Sequence, residues 1–220
     1  MSLTEKNLQD SHTRERLLDA AEYVFARKGF TAASIREITE KANSNLASVN
    51  YYFHSKEGLY TEVLRRSMRL LAIERIDILE RMLYSEQPHI NLESVIRSFV
   101  EIFIEPFAQD GSGTHLMRLM IRERYDQHLP NGLFLNEVVR PIRNAVRQAL
   151  LKVCPELNPV DADLCFHSIV AQLLNLIQAQ DFFRGVDEEY MPLLDMNKST
   201  KHIAEFSIGG IRQYLQKSAE

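Results

Sequence analysis

Apolar residues recur at helical spacing along almost the whole of this 220-residue chain, and no β-type alternation extends beyond a few residues. Near the N-terminus they form one stripe, which consists of Leu17, Leu18, Ala21, Val24 and Phe25. Gly29 is expected to end this first helix, and clusters of Pro, Gly and Asn separate the later ones. The chain is therefore predicted to be all-α, with about nine helices, or ten if Pro141 divides the helix that contains it.

The same punctuation predicts where the elements begin and end. Residues 1 to about 11 are polar and are expected to form a mobile arm. Two short helices are expected on either side of Asn43-Ser44-Asn45, because Asn tolerates the left-handed conformation of a tight turn. A long helix is predicted from about Lys56 to Tyr84. Further helices are predicted for residues 91–107, 114–128, 133–153, 161–183 and 198–217.

The composition argues against several classes of protein. Hydrophobic residues make up 45% and charged residues 25% of the chain, as in an ordinary soluble globular protein. No apolar run indicates a membrane span, and the first residues lack the pattern of a secretory leader, so we expect a cytoplasmic protein with no membrane partner. Cys154 and Cys165 lack the spacing of a disulfide framework or a metal site and are expected to be structural. No metal or cofactor is predicted.

The net charge of −4 does not by itself indicate a nucleic-acid partner, because phosphate binding depends on Lys and Arg. The distribution of the cations is more informative than their sum. The first third of the chain holds Arg36, Lys41, Lys56, Arg65, Arg66 and Arg69. Basic residues are thus available in and after the region of the two short helices.

Residues 34–53 have the pattern of a helix-turn-helix. Ser34 can cap the first short helix, and Glu37 can reach back as in a capping box. In the second short helix, Val49 and Phe53 share one face and are expected to point inward. The outward face is rich in aromatic and apolar groups for a solvent-exposed surface, and it comprises Leu46, Ala47, Ser48, Asn50, Tyr51 and Tyr52. Because such groups can contact base edges, thymine methyls and phosphates, this helix is predicted to read the major groove of double-stranded DNA.

Three segments resemble successive signatures of the TetR family of transcriptional regulators: residues 25–31 (FARKGFT), 34–38 (SIREI) and 51–59 (YYFHSKEGL). Their order and spacing make the resemblance specific, and it covers residues 12 to about 64. The family usually has Gly where Asn43 stands and tyrosine where Asn50 stands, so its typical base contacts change at residue 50. Residues 45–53 are also similar to a subgroup of TetR-like regulators of drug and envelope-stress responses.

The resemblance implies roles for the polar side chains of this region. Those expected to read the groove are Ser48, Asn50 and Tyr51. Those expected to contact the DNA backbone are Tyr52, His54 and Lys56. Arg36 is expected to approach a base or phosphate, and Lys56 gains from the N–H groups and dipole at the start of the long helix. The alternatives are that Tyr51 and Tyr52 are packing residues, that Arg36 and Lys56 are solvated charges, and that Ser34 serves mainly as a cap.

Dimerisation is implied, because reading a palindromic operator requires two recognition helices about 34 Å apart. The last two helices are the candidates, since their apolar faces exceed what one partner would hide. The interface residues we expect are Leu173, Ile177, Phe206, Gly209, Gly210 and Ile211. The alternative is that these helices only complete the core of the monomer.

The resemblance also implies a pocket for a small-molecule inducer between residues 91 and 183. Its apolar lining would come from Phe99, Phe103, Met117 and Met120. Its polar anchors would come from Arg118, Arg122, His167, Gln172 and Asn175. For each of these residues, core packing or surface solvation is the competing interpretation, and Asp163 with His167 is interpreted as a surface pair rather than a metal site.

The sequence therefore predicts a homodimeric, inducible DNA-binding repressor. Residues 1–56 would form the arm and helix-turn-helix domain, and residues 57–220 the ligand-binding and dimerisation domain. A constitutive DNA-binding protein without an inducer is the alternative. An all-α enzyme has little support, because the chain has no Gly-rich phosphate loop, no HExxH motif and no paired carboxylates in a recognisable context.

Overall fold

The structure is a computed structural model, and it describes residues 3–84, 90–107, 116, 119–120, 123, 127–182 and 195–217. Within these ranges it contains α-helices and no strand. The eight α-helices are α1 (Leu3–Ala32), α2 (Ile35–Lys41), α3 (Leu46–Phe53), α4 (Lys56–Tyr84), α5 (Leu92–Ile104), α6 (Arg140–Val153), α7 (Pro159–Phe182) and α8 (Met196–Lys217). A 3₁₀ turn at Glu105–Phe107 follows α5, and a π-helical turn at Leu135–Val139 precedes α6. The all-α prediction is confirmed.

The helix count is lower than the expected nine or ten for two reasons. The helix predicted for residues 114–128 lies mostly outside the described residues, although residues 116, 119–120 and 123 are helical. Pro141 does not divide its helix, because it falls in the first turn of α6, directly after the wide π-helical turn. Proline lacks an N–H and crowds the carbonyl four residues earlier, and a π-turn relieves both constraints.

The first helix begins earlier than expected. Helix α1 starts at Leu3, so the prediction of an irregular arm up to about residue 11 is wrong. The segment contains Glu, Lys, Leu and Gln, which lose little rotamer freedom in a helix. It also extends the amphipathic helix that follows it, so no new helix has to be nucleated. Gly29 leaves helical geometry, with φ 75° and ψ 174°, as its predicted role at the helix end requires.

The chain forms two units, of which the first comprises Met1–Leu71 with Asp110–Glu137 and the second comprises Ala72–Gln109 with Val138–Glu220. This division differs from the boundary expected after residue 56. The reason is that the first half of α4 belongs to the core of the first unit, where the Tyr60 ring meets Phe25 edge-on at 4.8 Å.

The second unit has its own aromatic core. Phe99 of α5 contacts Phe103 and Phe166, with ring centroids 5.9 Å apart in each pair. Cys154 and Cys165 are free and buried in this unit, and burial raises the pKa of both thiols. Protonated, enclosed thiols fit the structural role that we expected for them.

Helix α7 is the one element, among the residues described, that is long and apolar enough over Pro159–Ala179 to cross a membrane on length and composition alone. A core helix meets the same criterion, and this observation is weak evidence for a membrane.

Candidate nucleic-acid interface

The start of α2 is capped as the sequence predicts, but by one bond rather than two. Ser34 has extended backbone geometry, and its hydroxyl accepts the backbone N–H of Glu37 at 3.1 Å. The Glu37 carboxylate does not close the capping box and instead binds the ammonium of Lys28 on α1 at 2.7 Å. This ion pair fastens the first residues of α2 to α1, while Ile38 is fully buried beneath. Helix α2 can therefore support the following turn.

The turn between α2 and α3 uses its asparagines in two ways. Asn43 has φ 47°, the left-handed conformation expected of it. Asn45 is the N-cap of α3, and its Oδ1 accepts the backbone N–H of Ser48 at 2.9 Å and the Ser48 hydroxyl at 3.1 Å. Sequence reasoning missed this cap, although an Asn directly before a helix is a strong N-cap signal. Ser48 is half-buried, and its hydroxyl is already hydrogen-bonded to Asn45.

Helix α3 turns the predicted face outward. Val49 and Phe53 are buried, whereas Leu46 is 56% and Tyr51 is 71% exposed. Ala47 and Asn50 are also exposed, and Tyr52 is half-buried. The Tyr51 and Tyr52 rings meet edge-to-face at 4.8 Å, which limits their freedom without covering them. A short helix with an uncovered apolar and amide face is suited to insertion into a groove.

The junction between α3 and α4 is unusually close. His54 is exposed and has φ 66°, and the Ser55 hydroxyl accepts the backbone N–H of Gly58 at 3.0 Å. A Cβ at Gly58 would lie 2.0 Å from the carbonyl oxygen of Phe53. Only glycine therefore permits this approach of α4 to the end of α3, which explains the Gly of the YYFHSKEGL segment.

Lys56 is the first residue of α4 and is held in a defined place. Its Nζ lies 4.5 Å from the Phe30 ring centroid and donates to the Thr31 carbonyl at 3.4 Å. Hydrogen bonds from the backbone N–H of Glu57 and from Ser55 lower the pKa of the Glu57 carboxyl, and Lys56 contributes further. The start of α4 thus favours negative charge.

The cations of the first third of the chain fall into two groups. Arg66 binds Asp19 and Glu22, each at 2.8 Å, and Arg69 binds Glu137 at 2.9 Å and thereby lowers the pKa of that carboxyl. Arg65 is bound to Glu62. These three cations are neutralised within the first unit. Arg65 pairs with Glu62 on its own helix and with Glu137 at 3.5 Å, whereas Arg66 and Arg69 pair with acidic residues that are remote in sequence. They are poor candidates for phosphate binding.

The remaining cations are more accessible. Arg36 is exposed and pairs with Glu40 at 2.9 Å across one helical turn, an arrangement that contributes little when solvated. Lys41 lies over the exposed Tyr23 ring, with Nζ 3.9 Å from the centroid. Arg36, Lys41 and Lys56 can therefore exchange weak contacts for phosphates.

The residues expected in a ligand pocket differ in burial, as far as the structure describes them. Phe99 and Phe103 are buried, and Gln172 and Met120 are half-buried. His167 and Asn175 are exposed on α7. Met117, Arg118 and Arg122 lie outside the described residues. Asp163 binds Arg147 at 3.3 Å rather than His167, so the surface pair that we expected has a different partner.

Helices α7 and α8 carry an uncovered apolar face in the second unit. A groove of about 160 Å³ lies between them, lined by Leu164, Gln172, Phe206, Gly210 and Tyr214 among others. Phe206 is 64% exposed, and a Cβ on Gly209 or Gly210 would meet nothing within 4 Å. These three of the six expected interface residues are accessible.

The other three expected interface residues are buried within the monomer. Leu173, Ile177 and Ile211 belong to its own core, because α7 and α8 pack on each other and on α5. Ile211 nevertheless also lines the groove, and the part of these three residues in an interface stays a prediction. The apolar side chains that remain exposed on these helices are Val160, Leu164, Phe206 and Tyr214.

Two family models match the chain. One, described as "Bacterial regulatory proteins, tetR family", matches residues 17–63. The other, described as "Tetracyclin repressor-like, C-terminal domain", matches residues 97–210, more than half of the chain.

Relatives and solved structures agree with these matches. The probable HTH-type transcriptional regulator YttP of Bacillus subtilis is 26% identical over 111 residues, 50% of each chain. The HTH-type transcriptional repressor NicS of Pseudomonas putida is 45% identical over 56 residues, 26% of each chain. The chain thus spans about half the length, or less, of these relatives.

The fold is shared with solved structures of low sequence identity. The fatty acid degradation regulator FadR from Bacillus halodurans has a TM-score of 0.65 at 18% identity, covering 91% of this chain and 96% of its own. Reduced NemR from E. coli has a TM-score of 0.63 at 21% identity, covering 87% and 94%.

Proposed function

This chain belongs to the tetR family of bacterial regulatory proteins, and we propose that it is a homodimeric repressor. The dimer would bind a palindromic operator and dissociate from it when a small-molecule inducer binds. In this proposal α3 is the recognition helix, and residues 1–56 form the DNA-binding domain. The rest of the first unit completes the core of that domain. Residues 57–220 supply the ligand-binding and dimerisation functions. The site of action would be the cytoplasm, where bacterial operator DNA lies. The narrower drug and envelope-stress subgroup stays a prediction.

The observation that carries the proposal is the uncovered face of α3. Leu46 and Tyr51 are more than half exposed beside Asn50, on a helix whose opposite face is anchored by Val49 and Phe53. Exposed aromatic groups on a rigid short helix are costly in water unless a partner covers them. A DNA groove provides hydrogen-bonding partners for the amide and hydroxyl groups and methyl groups for the apolar ones.

A second copy of the chain is the partner that the α7 and α8 face fits. Symmetric dimers bury the same patch on both subunits, and this patch contains Phe206 beside Gly209 and Gly210, where helix backbones could approach closely. Two copies would present two recognition helices, as a palindromic operator requires.

The experiment that tests the function is selection of bound fragments from random duplex DNA with the purified full-length protein. We expect inverted half-sites whose centres are about one helical turn apart, or a multiple of it. Recovery of no enriched sequence would contradict an operator-binding function. Operator affinity that no compound of a chemically diverse library alters would favour a constitutive DNA-binding protein.

Replacement of Asn50 by alanine is expected to relax the base preference at one position of each half-site. An amide that contacts a base edge discriminates by about 1–3 kcal/mol, and that discrimination is lost with the amide. Fluorescence anisotropy would measure the affinity of each protein for the selected operator and for its single-base variants. Lys41→Ala is the matched control, because a lost phosphate contact weakens all sequences equally. Equal losses on every operator in the Asn50 variant would show that Asn50 does not read a base.

A further inference from the structure

A distant part of the sequence reaches the start of α4. The His128 ring meets the Phe30 ring edge-to-face, with centroids 4.1 Å apart and planes at 90°. Tyr60 joins the same cluster, 5.1 Å from Phe30 and 6.4 Å from His128. Lys56 lies over the same Phe30 ring, with its Nζ 4.5 Å from the centroid. His128 and Lys56 therefore contact one aromatic ring within the first unit.

Glu123 holds the turn that carries His128. Its carboxylate is only 7% exposed, and Oε2 accepts the backbone N–H groups of His128 and Leu129, each at 2.9 Å. Gln127, directly before them, has φ 51° and donates its N–H to the Glu123 carbonyl at 3.1 Å. Charge-assisted hydrogen bonds to a buried carboxylate are among the stronger local restraints in proteins. These hydrogen bonds therefore fix the backbone at His128 without involving its imidazole ring.

Phe30 is in contact with three rings, Phe25 at 6.2 Å, Tyr60 at 5.1 Å and His128 at 4.1 Å, of which His128 is the nearest. Phe30 follows Gly29, whose dihedrals leave the helical region, so regular helix geometry does not fix the ring. The Lys56 ammonium, in turn, lies at the end of a flexible four-carbon stem, where it contacts the Phe30 ring and the Thr31 carbonyl. A shift of Phe30 would therefore shift the ammonium as well.

We propose that His128 is a positioning residue for DNA binding, which braces Phe30 and so holds the Lys56 ammonium at the N-terminus of α4 against a backbone phosphate. This inference rests on the proposed function, in which Lys56 contacts DNA. In this proposal His128 acts through the Phe30 ring rather than by a DNA contact of its own. Glu123 and residues 127–129 thereby contribute to DNA affinity although they lie far from the helix-turn-helix in sequence.

The test compares the wild type with Lys56→Ala, His128→Ala, His128→Phe and the Lys56→Ala/His128→Ala double variant. Binding to the selected operator is measured by anisotropy over a series of salt concentrations. Loss of one phosphate contact in each subunit removes two contacts from a dimer on its operator, and it should make the slope of log K against log salt shallower by about 1.8. We expect this change in both single alanine variants, no further change in the double variant, and the wild-type slope in His128→Phe, which keeps a ring against Phe30.

The salt slope distinguishes a variant that is partly unfolded from one that has lost a phosphate contact. Partial unfolding lowers the fraction of active protein and hence the signal, but it does not change the slope. Thermal unfolding followed by circular dichroism reports the stability of each variant. A wild-type slope in His128→Ala, or additive losses in the double variant, would overturn the proposal. An unchanged slope in Lys56→Ala would also overturn it, while leaving the operator-binding function intact. Failure of the wild type to bind any selected duplex would instead overturn the proposed function.

Discussion

Replacement of Phe206 by glutamate is expected to convert the proposed dimer into monomers and to weaken operator binding about a hundredfold or more. An unpaired charge buried in an apolar interface costs about 3–5 kcal/mol, and each 1.4 kcal/mol is a tenfold change in affinity. Phe206 is 64% exposed in the monomer, so the substitution leaves the folded subunit little changed. A monomer would then offer one recognition helix to a two-part operator.

Ile73→Glu is the matched control for this experiment. Ile73 is 54% exposed on α4 and is not part of the groove between α7 and α8, so the same charge is introduced outside the proposed interface. Analytical ultracentrifugation measures the oligomeric state, and anisotropy with the selected operator measures binding. A Phe206→Glu protein that remains dimeric would show that the subunits associate through another surface.

Replacement of Gly58 by alanine is expected to destabilise the first unit and abolish operator binding. The added methyl would lie 2.0 Å from the Phe53 carbonyl oxygen, a backbone atom that cannot rotate away. Overpacking of this kind typically costs about 1–3 kcal/mol, and relief requires α3 and α4 to separate. Because α3 is the proposed recognition helix, such a movement would misplace Asn50 and Tyr51 even in molecules that remain folded.

Glu57→Ala tests whether the effect is specific to the close contact. Glu57 is exposed and lies in the same first turn of α4, so its loss should destabilise the protein far less than the methyl group added at Gly58. Urea unfolding gives the free energy of unfolding for both variants, and anisotropy gives operator affinity. If Gly58→Ala bound the operator as tightly as Glu57→Ala, the junction would tolerate a side chain and the proposed rigid arrangement would be wrong.

The helix-turn-helix is the part of the fold that sequence reasoning predicts best. Its signals act over three or four residues: Ser34 caps the helix that follows it, Asn43 adopts the left-handed conformation, and Val49 with Phe53 marks the inward face. The same reasoning predicts α4 from Lys56 to Tyr84, as observed. Only local backbone geometry and helical periodicity are needed for these inferences.

Reasoning from sequence was less successful where one helix packs on another. Arg66 and Arg69 seemed available for phosphate but are bound to carboxylates from other segments. Leu173 and Ile211 seemed suited to an interface but lie in the core of the monomer. A helical stripe shows which residues avoid water, and it does not show whether the same subunit or a second one covers them.

The amino-acid pattern alone determined the helices, their caps and the outward face of α3, because these depend on dihedral preferences and hydrogen bonds between near neighbours in the chain. The tertiary structure decided which cations remain accessible, which apolar side chains of α7 and α8 stay uncovered, and that His128 meets the ring beneath Lys56. Those outcomes depend on the packing of residues that are remote in sequence, and no periodicity within a single helix contains that information.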